Sequence, residues 1–278
     1  MPCKVITSTQ ELIGEVIRDY SFWGEKSIPW FRGEPRDTST PLLPSLFRKE
    51  HDELDLLQHF RMKAPSLGLP YVPPRGYVDQ WLFLAQHVRL PTRLLDWTGG
   101  LLISLHFALY SKPAGAVVWM LNPKQLNSET AGDIERDYSL TWFDRKKIPL
   151  MYKDLEVVKE LIKTQGDYEI PGTRDETLGY ININLAWTES KIGTRYPVAV
   201  HPTNIHPRMS SQISRFTIHG LLEIPICEME IADKILYKYV IADEAIPPMK
   251  EELRMMGITH SSLFPELDGL SDELSEIY

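Results

Sequence analysis

Residues 86–110 read QHVRLPTRLLDWTGGLLISLHFALY, and the change of periodicity inside this stretch decides the fold. Pro91 pushes the chain around it toward extended backbone, so Pro91 to Trp97 reads as a strand. From Leu101 onward, Leu101, Leu102, Leu105, Ala108 and Leu109 recur at three- and four-residue steps, the mark of a helix with an apolar face. Thr98 is placed to cap that helix, with Gly99-Gly100 allowing close packing. A strand thus feeds a helix through a turn that carries a carboxylate, an indole and a hydroxyl at Asp96, Trp97 and Thr98.

Working outward, Val78 to Val88 (VDQWLFLAQHV) is apolar nearly all round and reads as a buried helix, with Gln86 and His87 in its last turn. Gly115 to Leu121 (GAVVWML) is a continuous apolar run of strand length closed by Asn122-Pro123, and belongs in the middle of a sheet. Nearer the N-terminus, Ser8 and Glu11 stand at capping-box spacing ahead of a helix over 9–20. Ile28 to Arg32 is a short aromatic strand that Gly33-Glu34-Pro35 breaks, which leaves Arg32 at a strand end. A further helix spans Asp52 to Ala64. Residues 123–195, with one helix at 151–163, read as an insertion or elaboration between core strands. Strands follow at Val198–His201, Gln212–His219 (with a bulge or twist near Ser214-Arg215) and Lys238–Ile241, and a helix at 249–256. Interspersed helices and strands indicate an α+β protein, and the length fits one domain over residues 1–278.

Composition removes several function classes. A net charge of −8 argues against indiscriminate wrapping of nucleic acid, which rests on phosphate neutralisation, though a local basic site such as Arg145-Lys146-Lys147 is compatible with it. No apolar run approaches the roughly 20 residues that cross a bilayer, and the N-terminal MPCKVITSTQ has no apolar signal core, so a cytoplasmic protein is expected, with no membrane partner. Cys3 and Cys227, the two cysteines, lack metal-ligand spacing. H-E-x-x-H, G-x-S-x-G and G-x-G-x-x-G are all absent, which disfavours metalloprotease, serine hydrolase and Rossmann dehydrogenase readings.

Trp30-Phe31-Arg32-Gly33, Gln86-His87, Pro91-Thr92-Arg93-Leu94-Leu95-Asp96-Trp97-Thr98, Phe107-Ala108, Gln212 ahead of Phe216-Thr217-Ile218-His219-Gly220, and Leu263-Phe264-Pro265-Glu266-Leu267-Asp268-Gly269 occur in that order. Together they resemble the bacterial FRG domain family over nearly the whole chain. A more distant resemblance is to the ADP-ribosyltransferase fold. There an Arg or His ends a first core strand, a Ser- or Thr-bearing strand precedes a helix with small and aromatic residues, and an acidic or amide residue follows on a later strand. Arg32, then Asp96-Trp97-Thr98 followed by Leu105-His106-Phe107-Ala108, then Gln212 keep this order. The chain departs from it in having Asp-Trp-Thr for Ser-Thr-Ser and Gln for the usual Glu.

These resemblances imply an ADP-ribosyltransferase-like split or mixed β-sheet flanked by helices, with a helical insertion, and NAD as substrate without a metal. They also imply transfer of ADP-ribose to a macromolecule, RNA, DNA or protein. Glutamine in place of glutamate turns the expectation toward nucleic acid, because glutamate helps to activate a guanidinium acceptor. Bacterial proteins of this architecture are often toxins, which points to a toxin-antitoxin or phage-defence role and to an antitoxin or inhibitor protein as partner. Two rivals stand beside this reading: a non-catalytic module that binds a nucleotide or protein, and an NAD glycohydrolase.

The candidate site then comprises Arg32 and Gln212 as catalytic residues, with Arg32, Gly33, Gln86, His87, Asp96, Trp97 and Thr98 binding NAD. Arg32 would grip phosphate or ribose oxygens through its planar fork, and Gly33 would let backbone approach the ligand. Gln212 would bond ribose hydroxyls and Thr98 would support the nicotinamide side. Bland readings compete: Asp96 as a buried salt-bridge partner of Arg93 or a cap, Trp97 as core, and His87 as a helix-end residue bonded to terminal carbonyls.

Overall fold

The structure, a computed structural model, describes residues 1–23, 28–36, 41–74, 77–110, 113–130, 194–202 and 206–277. The helix expected at 151–163 lies outside these residues. Among the described residues, seven strands form one mixed sheet: β1 (Cys3–Ile6), β2 (Trp30–Glu34), β3 (Leu94–Thr98), β4 (Val117–Leu121), β5 (Val198–Val200), β6 (Ser214–Ile218) and β7 (Leu236–Ile241). Their spatial order is β1-β7-β4-β2-β3-β6-β5, with β1 parallel to β7 and every other neighbouring pair antiparallel. The GAVVWML run supplies β4, whose five residues are all buried in the sheet interior, as its unbroken apolar pattern predicts.

Helices α1 (Thr9–Phe22), α2 (Glu53–Lys63), α3 (Val78–His87) and α4 (Leu101–Leu109) fall where the periodicity places them. The Ser8 hydroxyl accepts from the Glu11 amide, as its capping position requires. After β4, residues 123–130 are helical. Next come α5 (Pro207–Ser211), α6 (Ala232–Ile235), α7 (Ile246–Met255), α8 (His260–Leu263) and α9 (Leu267–Ile277). β1 escapes the sequence reading because its pattern is weak, with Ile6 alone buried; α9 carries Leu267, Leu270 and Leu274 at helical spacing, which the sequence reading passes over.

The two faces of the sheet hold separate cores. On one face, α1, α4 and α7 close over Phe31, Val118, Met120, Tyr239 and Ile241, while α2 and α3 close over Leu94, Val198, Phe216 and Ile218. On the other face, Trp30, Leu95, Trp97, Trp119 and Leu121 pack beneath Leu126, Ile226 and Ile235. Alternation within β3 therefore sends Leu94 and Leu95 to opposite sides, and Asp96 goes with Leu94 while Trp97 goes with Leu95.

The junction between β2 and β3 differs from the rest of the sheet. β2 pairs with β4 along all five residues and β3 with β6 along all five, yet β2 and β3 share the single pair Phe31↔Thr98. The sheet therefore opens beyond that pair. The bulge expected near Ser214-Arg215 is absent, since β3 and β6 stay in register from Thr98↔Ser214 to Leu94↔Ile218. The irregularity sits one residue earlier: Ile213 has φ 48°, a conformation that a β-branched side chain adopts at a cost.

Candidate functional site

The last turn of α3 and the start of β3 are fastened by a relay of short side chains. Thr92 Oγ1 donates to Gln86 Oε1 at 2.6 Å and accepts from the Leu94 amide at 3.1 Å. Gln86 Nε2 in turn donates to Asp96 Oδ2 at 2.7 Å. Both polar ends of Gln86 are thus satisfied, and its orientation is fixed. Arg93 points elsewhere: its Nε is 2.9 Å from both Glu53 carboxylate oxygens, and Nη1 donates to the carbonyls of His219 and Gly220. The expected Arg93–Asp96 salt bridge does not form, because an odd separation along an extended strand puts the two side chains on opposite faces.

Arg32 reaches across the opening between β2 and β3. Its Nη1 donates to the Asp96 carbonyl at 2.8 Å, Nε donates to Glu34 Oε1 at 3.1 Å, and Nη1 lies 4.0 Å from Asp96 Oδ2. Glu34 Oε2 also accepts from the buried Trp119 indole at 3.0 Å. The side chain is only 19% exposed. Arg32 therefore holds the frame in which Asp96 sits, where the sequence suggested a free phosphate clamp.

Three other expectations change. A Cβ on Gly33 would lie 1.8 Å from the Ser104 carbonyl oxygen and 2.6 Å from the Ala108 nitrogen, so this glycine admits the backbone of α4, not a ligand. Thr98 ends β3 instead of capping α4, whose N-cap position is Gly100; Thr98 Oγ1 donates to the Gln212 carbonyl at 2.7 Å and accepts from the Gly100 amide at 3.0 Å. Trp97 is buried on the face away from Asp96, with its indole N–H donating to Thr217 Oγ1 at 3.0 Å, and belongs to the core.

Gln86, His87, Asp96 and Gln212 line one cleft of about 380 Å³ between α3, β3, β6 and the α5 and α8 region. Gln212 is the C-cap of α5, two residues ahead of β6, instead of a strand residue, and its Nε2 donates to the Leu263 carbonyl at 3.1 Å. The Asp96 side chain is surrounded by protein yet 57% exposed, because the cleft itself is open to solvent. Nearby protein pushes its carboxyl above the usual carboxylate range, but at this exposure water offsets much of that push, and the Arg32 guanidinium and the Gln86 amide oppose it. Burial also pushes His87 down to about 4, helped by neighbouring His206 and Arg208, so its ring is neutral at pH 7.

Several lining residues were not foreseen. Phe83, Phe216 and Phe264 supply apolar lining, and Arg89 and Arg208 supply cations. Arg89 is exposed and holds φ 63°, an uncommon left-handed conformation for a non-glycine residue. The Arg208 guanidinium lies 4.9 Å from the Phe264 ring centroid and its Nε is 3.2 Å from Glu266 Oε1. Phe264 and Glu266 already stood in the LFPELDG motif, so family order was the one available signal for them; Arg89 and Arg208 carried none.

Residues 27–116 match the model of the FRG domain family. This segment supplies β2, α3, β3 and α4, and with them Arg32, Gly33, Gln86, His87 and Asp96. No curated protein and no solved structure matches the chain.

Proposed function

We propose that this cleft binds NAD and that the chain transfers its ADP-ribosyl group to a macromolecule, with nucleic acid favoured over protein. The observation that carries the reading is Asp96: a solvent-accessible carboxylate on a cleft floor, gripped by Gln86 at 2.7 Å and flanked by Arg32 at 4.0 Å. In the reaction the bond between ribose C1′ and the nicotinamide nitrogen breaks, and its electron pair leaves with neutral nicotinamide. An acceptor O–H or N–H then bonds to C1′ and gives up its proton. Positive charge builds on the ribose as the leaving group departs, and a fixed carboxylate beside it stabilises that charge more in the transition state than in the ground state.

The surrounding residues divide the remaining work. Arg32 is a positioning residue: it ties down the Asp96 backbone, and its charge favours the ionised carboxyl. Arg89 and Arg208 offer charge to the diphosphate, Phe83, Phe216 and Phe264 offer apolar lining, and Gln212 offers its amide to ribose hydroxyls. An acidic chain with these local cations suits a focused contact with nucleic acid, not an extended one. The distant ADP-ribosyltransferase resemblance supports the same assignment, and by analogy a toxin or phage-defence role restrained by an antitoxin or inhibitor protein.

A second reading has its own support. Arg32 and Gln212 both spend donors on protein carbonyls, as they would in a module that binds a nucleotide without turning it over. Labelled NAD separates the readings. Release of nicotinamide with label in RNA, DNA or protein, lost in Asp96→Asn and Gln212→Ala chains that still fold, supports transfer. Release without labelled macromolecule indicates hydrolysis, and saturable binding without release indicates the module.

A further inference from the structure

We propose that His87, His206 and Glu266 form a binding site for a divalent metal ion of the zinc class at the wall of the cleft. One ligand atom of each side chain lies within 4.8 Å of those of the other two. Around a tetrahedral ion, ligand atoms held at about 2.1 Å stand about 3.4 Å apart. All three side chains are partly exposed, so modest side-chain rotations close the difference. Two imidazoles and one carboxylate are the donors that borderline ions such as Zn²⁺ prefer over Mg²⁺ or Ca²⁺, which favour oxygen.

Two details point beyond proximity. Glu266 Oε2 is buried and has no hydrogen-bond partner among the described residues, while Oε1 faces Arg208 and lies 3.6 Å from His206 Nδ1. A desolvated carboxylate oxygen without a donor is costly, and an ion would satisfy it. His206 Nδ1 accepts a long 3.3 Å bond from the Arg208 amide. That weak bond is readily exchanged for a metal. The His87 and His206 rings, with centroids 4.0 Å apart, bring the second nitrogen donor alongside. Because His87 and Arg208 also line the cleft, an ion held here would stand beside any bound ligand, with coordination positions left for its oxygens.

Calorimetric titration of the chelator-stripped full chain with Zn²⁺ alone tests the site. One equivalent of Zn²⁺ is expected to bind, at least tenfold more tightly than Mg²⁺. Binding should weaken at least tenfold in Glu266→Gln and in His206→Asn, which keeps an acceptor for the Arg208 amide, and stay unchanged in His106→Ala. Circular dichroism melts identify any variant that has lost its fold; if one has, the other carries the test. Absence of saturable binding, equal affinity for Mg²⁺, or binding unchanged in the folded variants overturns the proposal. NAD takes no part in the titration, so this failure and failure of the proposed transfer reaction are separately visible.

Discussion

The two halves of the sheet that meet at the β2–β3 junction handle the same kind of covering helix in opposite ways. On the β2 side, α4 presses so closely that Gly33 has no room for a methyl group, and the interface is sealed. On the β3 side, α3 packs through Phe83 onto Phe216, with ring centroids 5.2 Å apart, and its last turn leaves an open cleft. Neighbouring signature residues thus serve different ends: Gly33 seals one half, Arg32 spans the junction, and Asp96 faces the cleft. The motif residues are thus divided between packing and chemistry. Gly33→Ala is the harshest test of that division. Its Cβ would meet helix backbone, which cannot turn aside as a side chain can, so we expect a loss of about 3 kcal/mol or more, read as a lower midpoint in chemical denaturation. A variant as stable as the parent would mean that the halves do not differ.

Asp96→Asn addresses the open half. The side chain is largely solvent-accessible and keeps an oxygen for the Gln86 amide after substitution, so little stability should be lost. Nicotinamide release should instead fall about 100-fold, the scale expected when one fixed electrostatic partner of the transition state is removed. The reverse pattern, a destabilised chain with turnover intact, would return Asp96 to a structural role and break the comparison.

What the sequence disclosed follows burial in both halves. β4 and the helices α1 to α4 were legible because long apolar periodicities report burial on one face, whichever half of the sheet that face covers. The cleft was legible only in part of its lining, and not in roles. Gln86, His87, Asp96 and Gln212 do converge, whereas the Arg93–Asp96 pairing failed on strand parity and Trp97 turned out to be core. Gly33 admits a helix, and Thr98 buttresses the Gln212 carbonyl. His87, His206 and Glu266 could not be recognised as a cluster at all, because more than a hundred positions separate the first two and no local spacing records a contact made by the fold.

Both halves bury neutral histidines, which yields a pH dependence of definite sign. Burial depresses His219 to about 3 and His106 and His201 to about 4, against a reference of about 6.5. The unfolded chain therefore binds more protons than the folded one between these values. The stability concerned is fully present above pH 6.5 and is lost as pH falls, by up to about 1.4 kcal/mol per pH unit for each histidine. Moving from pH 7 to pH 5 should cost about 2 kcal/mol through His219 alone. Denaturation curves at the two pH values should differ by less in His219→Asn. An unchanged difference would show that His219 does not contribute this proton linkage.

The smallest expected effect comes from the residue that sits between the two environments. Trp97 adjoins Asp96 in sequence but is buried on the opposite face of β3, where its indole bonds Thr217. Trp97→Phe keeps an aromatic ring in that core and deletes one hydrogen bond, so a loss of about 1 kcal/mol is expected. NAD affinity and nicotinamide release should not change, because the strand separates the ring from the cleft. Were NAD binding to weaken severalfold while the melt stayed in place, the indole would be touching ligand, and the division of β3 into a packing face and a chemical face would fail at its central residue.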